Sequence, residues 1–258
     1  MDLTLLVKLT KLGFTIAKGI DTALKEYQKF HGLEETGECD PSTKRSLELP
    51  RFCGHPDIIP EKVTIGGMCR WDVPRDSVTG RMLIPWAITA YPPRLDAIIV
   101  KSTYTKAWSL WERVCNIQPI FVDDPNRALI QMGTRSIDAV GGILAESELP
   151  CGNIKLCRQW YDTNENWVVS DNPTPGQIDL TRVAAHEIGH AMGLNHGPSG
   201  NLLAPTYSLS IGTPQAWDIQ EMVKRYGEAT ITSPYPDLIT IRIKGSEITI
   251  PGYRVTKL

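Results

Sequence analysis

The sequence predicts a mixed α/β (α+β) fold, a twisted mixed sheet with a buried central helix, preceded by a small helical region. Three observations carry this. Between residues 81 and 227, strand-like and helix-like stretches follow in the order strand, helix, strands, helix, helix. Residues 1–49 hold only short helical patterns separated by a turn. Residues 228–258 alternate apolar and polar side chains about a central glycine, the pattern of a β-hairpin. A chain of 258 residues has room for one large domain or two small ones.

Taken in order, the N-terminal stretch has Leu3, Leu5, Leu6, Val7, Leu9 and Leu12, interrupted by Lys8 and Lys11. No small-residue cleavage site follows, so it reads as a helix and not as a signal peptide. Asp40 before Pro41 is a helix start, a capping oxygen followed by proline where its missing N–H costs nothing. Residues 58–80 are rich in Pro, Gly and charge and carry no period, as an exposed linker does. Residues 83–89 read as the first strand of the larger domain. Residues 95–114 carry Ile98, Ile99, Tyr104, Ala107, Trp108, Trp111 and Val114 near helical spacing. Residues 120–122, 129–132 and 142–148 are strand-like. Residues 178–193 form the central helix, with Asp179 as its cap, and residues 215–226 a closing helix ended by Gly227. In the tail, residues 238–243 and 247–250 flank Lys244-Gly245-Ser246 as a hairpin.

Composition narrows the function. Basic and acidic residues number 27 and 29, a formal net charge of −2, which gives no reason to expect nucleic acid or an anionic membrane as partner. No apolar run reaches the roughly 18 residues of a membrane span. Among the six cysteines, Cys151 and Cys157 bracket a short loop with Gly152 and Asn153 and are the preferred disulfide pair, with Cys69–Cys115 a second possibility.

The most informative segment is His186-Glu187-Ile188-Gly189-His190-Ala191-Met192-Gly193-Leu194-Asn195-His196. On a helix His186 and His190 share one face. Gly193 can adopt the left-handed conformation that ends a helix and turns the chain, which lets His196 return as a third ligand. Three neutral nitrogens leave one position of a tetrahedral zinc open, the arrangement of a catalytic site. Glu187, beside the first ligand, is placed to act as general base.

This eleven-residue form resembles the metzincin peptidases, and neighbouring segments resemble the matrixins (matrix metalloproteinases) among them. Val183-Ala184-Ala185 resembles the entry to the matrixin active-site helix. Gly142-Ile143-Leu144-Ala145 resembles the edge strand that pairs with substrate, and Tyr161-Asp162-x-x-Glu165-x-Trp167 the segment after it. Pro205-Thr206-Tyr207 resembles the wall of the specificity pocket. Pro50-Arg51-Phe52-Cys53-Gly54-His55-Pro56-Asp57 resembles the cysteine switch. Residues 23–33, then Thr36-Gly37 and Asp40-Pro41, resemble the peptidoglycan-binding-like prodomain. The resemblance covers roughly residues 5–227.

It implies a prodomain at 1–57, a linker containing an activation site at 58–80 and a zincin-like catalytic domain at 81–227, and it leaves the hairpin tail at 228–258 outside. It also implies a zinc endopeptidase made as a latent zymogen, secreted, and acting as a monomer on protein or peptide substrates. Cys53 would ligate zinc in the latent form. Leu144, Ala145, Pro205 and Tyr207 would contact substrate. Asp138, Asp162 and Glu165, with carbonyls of Ala139, Gly141 and Ile143, would hold a structural calcium. One zinc is expected and not the family's usual two, because Glu146 and Trp160 stand where the second site has histidines. Leu203 stands where metzincins carry a methionine beneath the metal. Phe52 lies between Arg51 and Cys53, where the family has no residue, and so bears on the family's Arg–Asp pairing, here Arg51 with Asp57. Two other readings compete: a non-catalytic binding protein on the same scaffold, and a cell-wall hydrolase guided by the prodomain. An intact Glu187 opposes the first, and the cysteine switch opposes the second.

Overall fold

A computed structural model describes residues 3–58, 69–152, 154–229, 238–243 and 246–251. Residues 59–68 of the expected linker, and the Lys244-Gly245 turn of the expected hairpin, lie outside these residues.

Three short helices open the chain: α1 (Leu3–Lys11), α2 (Ile20–Phe30) and α3 (Pro41–Glu48). They bury Leu9, Leu12, Phe14, Ala23, Leu24, Tyr27 and Leu47 in a small core of their own. Asp40 caps α3 by accepting from the Thr43 N–H at 2.8 Å, a contribution of about 1 kcal/mol for a cap of this kind. Gln28, fully buried on α2, donates to the carbonyl of Glu38 and accepts from the Gly37 N–H, which fixes the turn into α3.

The main sheet has six strands. They are β1 (Arg51–Cys53), β2 (Met82–Ile88), β3 (Ile117–Phe121), β4 (Ile130–Arg135), β5 (Ile143–Ser147) and β6 (Cys157–Asp162), in the order β1-β5-β6-β4-β2-β3. Only the β5–β6 pair is antiparallel; β1 is parallel to β5, and β6, β4, β2 and β3 run parallel to one another. Two helices, α4 (Ala97–Glu112) and α5 (Leu180–Ala191), pack together over this sheet. Their shared core includes Trp86, Tyr104, Trp108, Trp111, Tyr161, Val183 and Ile188. A two-stranded parallel pair, β7 (Trp167–Val168) and β8 (Ile178–Asp179), leads into α5. The last helix is α6 (Ala216–Tyr226), followed by the antiparallel hairpin β9 (Leu238–Ile243) and β10 (Ser246–Pro251).

Several expected boundaries move. The helix expected from residue 178 begins at Leu180, because Ile178 and Asp179 pair with Trp167 and Val168 before Asp179 caps the helix. The strand expected at 120–122 is β3, displaced toward the N-terminus by its register with Met82–Trp86. Strands β1 and β6 were not expected as strands. Disulfide pairing is also corrected. The bond joins Cys69 to Cys151, and neither Cys151–Cys157 nor Cys69–Cys115 forms. Cys157 opens β6 opposite Ile130 and is a free thiol buried in the core. Cys115 is buried after α4, its thiol directed at the Trp111 carbonyl at 3.4 Å.

Candidate metal centre and cleft

Helix α5 is buried along its whole length. Asp179 starts it by accepting from Thr181 and Arg182 N–H groups, and Arg182 returns a charged bond to the same carboxylate at 3.1 Å. One turn apart, His186 and His190 bring their Nε2 atoms to 3.0 Å. Gly193 then turns the chain at φ +95°; a Cβ there would sit 2.0 Å from the Cys69 carbonyl oxygen, so only glycine fits. The turn returns His196, whose Nε2 lies 3.2 Å from the Cys53 sulfur; His190 Nε2 is 3.3 Å from the same sulfur. Among the described residues, Cys53, His186, His190 and His196 are the group whose ligand atoms converge within 4.8 Å.

Each imidazole is oriented through its other nitrogen. His186 Nδ1 donates to the Leu202 carbonyl at 2.8 Å, His190 Nδ1 to Leu194 at 2.7 Å, and His196 Nδ1 to Pro56 at 3.2 Å. Those bonds place the proton on Nδ1 and leave bare Nε2 lone pairs facing one another. Burial lowers the pKa of all three, that of His196 to about 4 even with the Asp57 carboxylate beside it. They are therefore neutral near pH 7. Converging lone pairs repel unless a cation lies between them, and three nitrogens with a sulfur at this spacing suit zinc, whose bonds are ~2.0–2.3 Å. The donor set fits that ion. Burial, and then the Glu187 charge, push the Cys53 thiol up; a cation at the centre acts in the opposite sense.

Glu187 is fully buried, and neither carboxylate oxygen has a hydrogen-bond partner. Burial raises its pKa well above the carboxylate range, with a further push from Glu146. A buried carboxyl without a partner costs on the order of several kcal/mol and calls for a functional explanation.

Strand β1 lies in the cleft above these residues. Arg51 N–H donates to Gly142 at 3.0 Å, Phe52 N–H to Pro205 at 2.9 Å, and Tyr207 N–H to Pro50 at 2.9 Å. Ile143 and Ala145 pair with Arg51 and Cys53, with Leu144 buried between them. The residues expected to contact substrate thus hold the switch segment. Arg51 pairs with Asp57 even though Phe52 intervenes. Asp57 also accepts from His31 at 2.9 Å and lies 3.5 Å from His196 Nδ1. Burial alone would raise the Asp57 pKa, but bonds from His196 and His31 and the Arg51 charge hold it well below the usual range.

The expected calcium residues surround the loop before β5. Asp162 accepts from Ile137 and Asp138 N–H groups, Asp138 from Ile143, and Glu165 from Gly141. The Ala139 carbonyl accepts from Gly142 N–H at 3.2 Å. The carboxylates do not converge within 4.8 Å as the histidine group does. Burial raises Glu165, and the charges of Asp162 and Asp138 add to the rise. Glu146 pairs with Arg135, whose guanidinium lies 4.2 Å over the Trp160 ring.

Sequence reasoning missed the supports. Asp218 on α6 accepts from Leu202, Leu203 and Gln215 N–H groups, and so fixes the carbonyl that orients His186. Its pairing with Gln215 in a capping box was a readable signal. Trp71 Nε1 donates to the Ala191 carbonyl at the end of α5, and nothing local to Trp71 announces that. Leu203 is buried and packs on Gly189 beneath the centre.

Residues 79–227 match the family model for matrixin, and residues 8–47 that for a putative peptidoglycan binding domain. The chain is 35% identical to metalloendoproteinase 1 of Glycine max over 205 residues, which covers 72% of this chain and 64% of that protein. It is 31% identical to interstitial collagenase of Bos taurus over 199 residues, covering 74% and 39%. With matrix metalloproteinase-25 of Homo sapiens it shares 28% over 232 residues, covering 83% and 40%. The chain thus spans about 40% of the length of these last two relatives.

Proposed function

The chain belongs to the matrixin family, and on that premise we propose that it is a zinc-dependent endopeptidase held latent by its own N-terminal region. The observation that carries this reading is the convergence of three neutral imidazoles and Cys53 beside an unpartnered, buried Glu187. When bound, zinc supplies acidity to an attacking water and polarises the scissile carbonyl. His186, His190 and His196 hold it. In the latent chain Cys53 would join them and exclude water. With the switch segment removed, Glu187, buried and without a partner, would take the proton of the attacking water and pass it to the leaving amine. The edge of β5 and the segment Pro205–Tyr207 hold an extended substrate by the backbone groups that now hold β1. Asp138, Asp162 and Glu165, with the Ala139, Gly141 and Ile143 carbonyls, would hold a calcium ion in the loop before β5. Extracellular action is part of the proposal; no helix among the described residues is long and apolar enough to cross a membrane.

The match of residues 8–47 to a putative peptidoglycan binding domain favours one rival, a cell-wall hydrolase. The seating of β1 in the cleft favours an inhibitory role for the region instead. A casein or gelatin digest beside a peptidoglycan digest, after proteolytic activation, separates the two. Cleaved peptides identified by mass spectrometry are the expected result. Release of peptidoglycan fragments without peptide cleavage would overturn the proposal.

A further inference from the structure

Phe52 comes from the switch segment, yet it belongs to the core of the larger domain and not to that of the three N-terminal helices. Its ring lies face to face on His186, with centroids 4.3 Å apart and planes within 11°. Tyr207 meets it edge-on at 5.3 Å, and the Tyr207 hydroxyl is fixed in turn by the Asp179 N–H that starts α5. The ring is 2% exposed. Its own N–H is bonded to Pro205, so backbone and side chain are held by the same wall. Phe52 also lines a cavity of about 470 Å³ together with Leu49, Ala204, Thr206 and Ile211. Because side chains alternate along a strand, the residue between Arg51 and Cys53 must point away from both. An extra residue here therefore adds a contact without displacing the thiol.

We propose that Phe52 is a second inhibitory anchor: an aromatic plug, stacked on His186, that keeps the cleft closed independently of the Cys53 thiol. Latency then has two parts, sulfur at the centre and a ring in the adjoining side-chain slot, and loss of either alone leaves the chain largely shut. The proposal rests on reading this cleft as the peptidase site.

The test uses the full, uncleaved chain as wild type, Cys53→Ser, Phe52→Ala and the double variant, with intact mass checked throughout. One readout is cleavage of a quenched-fluorescent peptide. The other is the alkylation rate of Cys53 by iodoacetamide, resolved by peptide mass spectrometry in the chains that keep the thiol. Cys53→Ser alone is expected to reach no more than about a tenth of the double variant's rate, the scale set by one well-packed aromatic pair. Phe52→Ala alone should stay latent toward peptide while Cys53 alkylates about tenfold faster. Phe52→Leu keeps the apolar bulk and guards against a loosened N-terminal region; its melting temperature should hold while alkylation still rises. Equal cleavage by Cys53→Ser and the double variant, or unchanged alkylation in both Phe52 variants, would overturn the plug. Faster alkylation with no cleavage by any chain would keep the plug and overturn the peptidase reading.

Discussion

At the end of α5, three imidazoles turn bare Nε2 lone pairs toward one another, each ring held by a carbonyl behind it. In the loop before β5, by contrast, every expected carboxylate already accepts a backbone N–H. Both places were expected to hold a metal, and they differ in what the protein leaves unsatisfied. Lone pairs cannot bond to one another, so a cation between them would satisfy what the first place leaves open. The second is stable on its own bonds, and a cation there adds to a structure that already stands. Zinc should therefore decide activity, and calcium should only adjust stability.

The sharpest way to break this contrast is to remove zinc. Chelation of the activated protein should abolish peptide cleavage, and about one zinc per chain should restore it. Two tightly held zincs by elemental analysis, or cleavage that persists in chelator, would contradict it. A pH series on the metal-free chain comes next in size. His196 is held at about 4 by burial, below the value near 6.5 of an unfolded histidine, so the folded state binds fewer protons. Its contribution is fully present above ~6.5 and fades as pH falls toward ~4. Asp57, also depressed, adds a contribution present above ~3.9 and lost below it. The melting temperature should fall by several degrees between about pH 6.5 and 4; a flat curve would show that the imidazoles are not held neutral.

Calcium gives a smaller effect. Burial and the Asp162 and Asp138 charges raise the Glu165 pKa, so a cation there offsets a repulsion that the loop's own bonds already hold. Calcium should raise the melting temperature by about 2–4 °C at pH 7 and by less near pH 4, where Glu165 takes up a proton instead. A melting temperature indifferent to calcium would remove the ion from the loop. Smallest of all is Leu203→Met beneath the centre. The side chains are close in volume, so the stability change should stay below about 1.5 kcal/mol with cleavage near wild type; a large loss in a chemical-denaturation series would mean that Leu203 tunes the centre.

The same contrast explains what could be read before the structure. His186, Glu187, His190 and Gly193 lie within two helical turns, where spacing alone fixes which side chains share a face. His196 follows from one glycine turn. Leu194, which orients His190, is local, but the other partners lie far along the chain: Leu202 in a loop held by Asp218 on α6, and Pro56 after β1. No local period records such distances. The disulfide went wrong for the same reason, since its cysteines are 82 residues apart and proximity in sequence favoured a nearer pair. Strand β6 was hidden because Arg158, Gln159 and Asp162 break the apolar run that marks a central strand. The Arg51–Asp57 pair survived the extra Phe52 because Asp57 is also held by His31, a contact between α2 and the switch that spacing does not reveal.

The central claim is that these residues form a zinc site whose base is separate from its ligands. Glu187→Ala tests it most directly, with zinc content and peptide cleavage measured on the same activated preparation. One zinc per chain is expected, as in wild type, with a loss of cleavage of ~10²–10⁴-fold, the usual worth of a general base. Retention of more than about a hundredth of wild-type cleavage would contradict the role of Glu187. Loss of the zinc along with the activity would show that Glu187 acts through the metal site itself and not as its base.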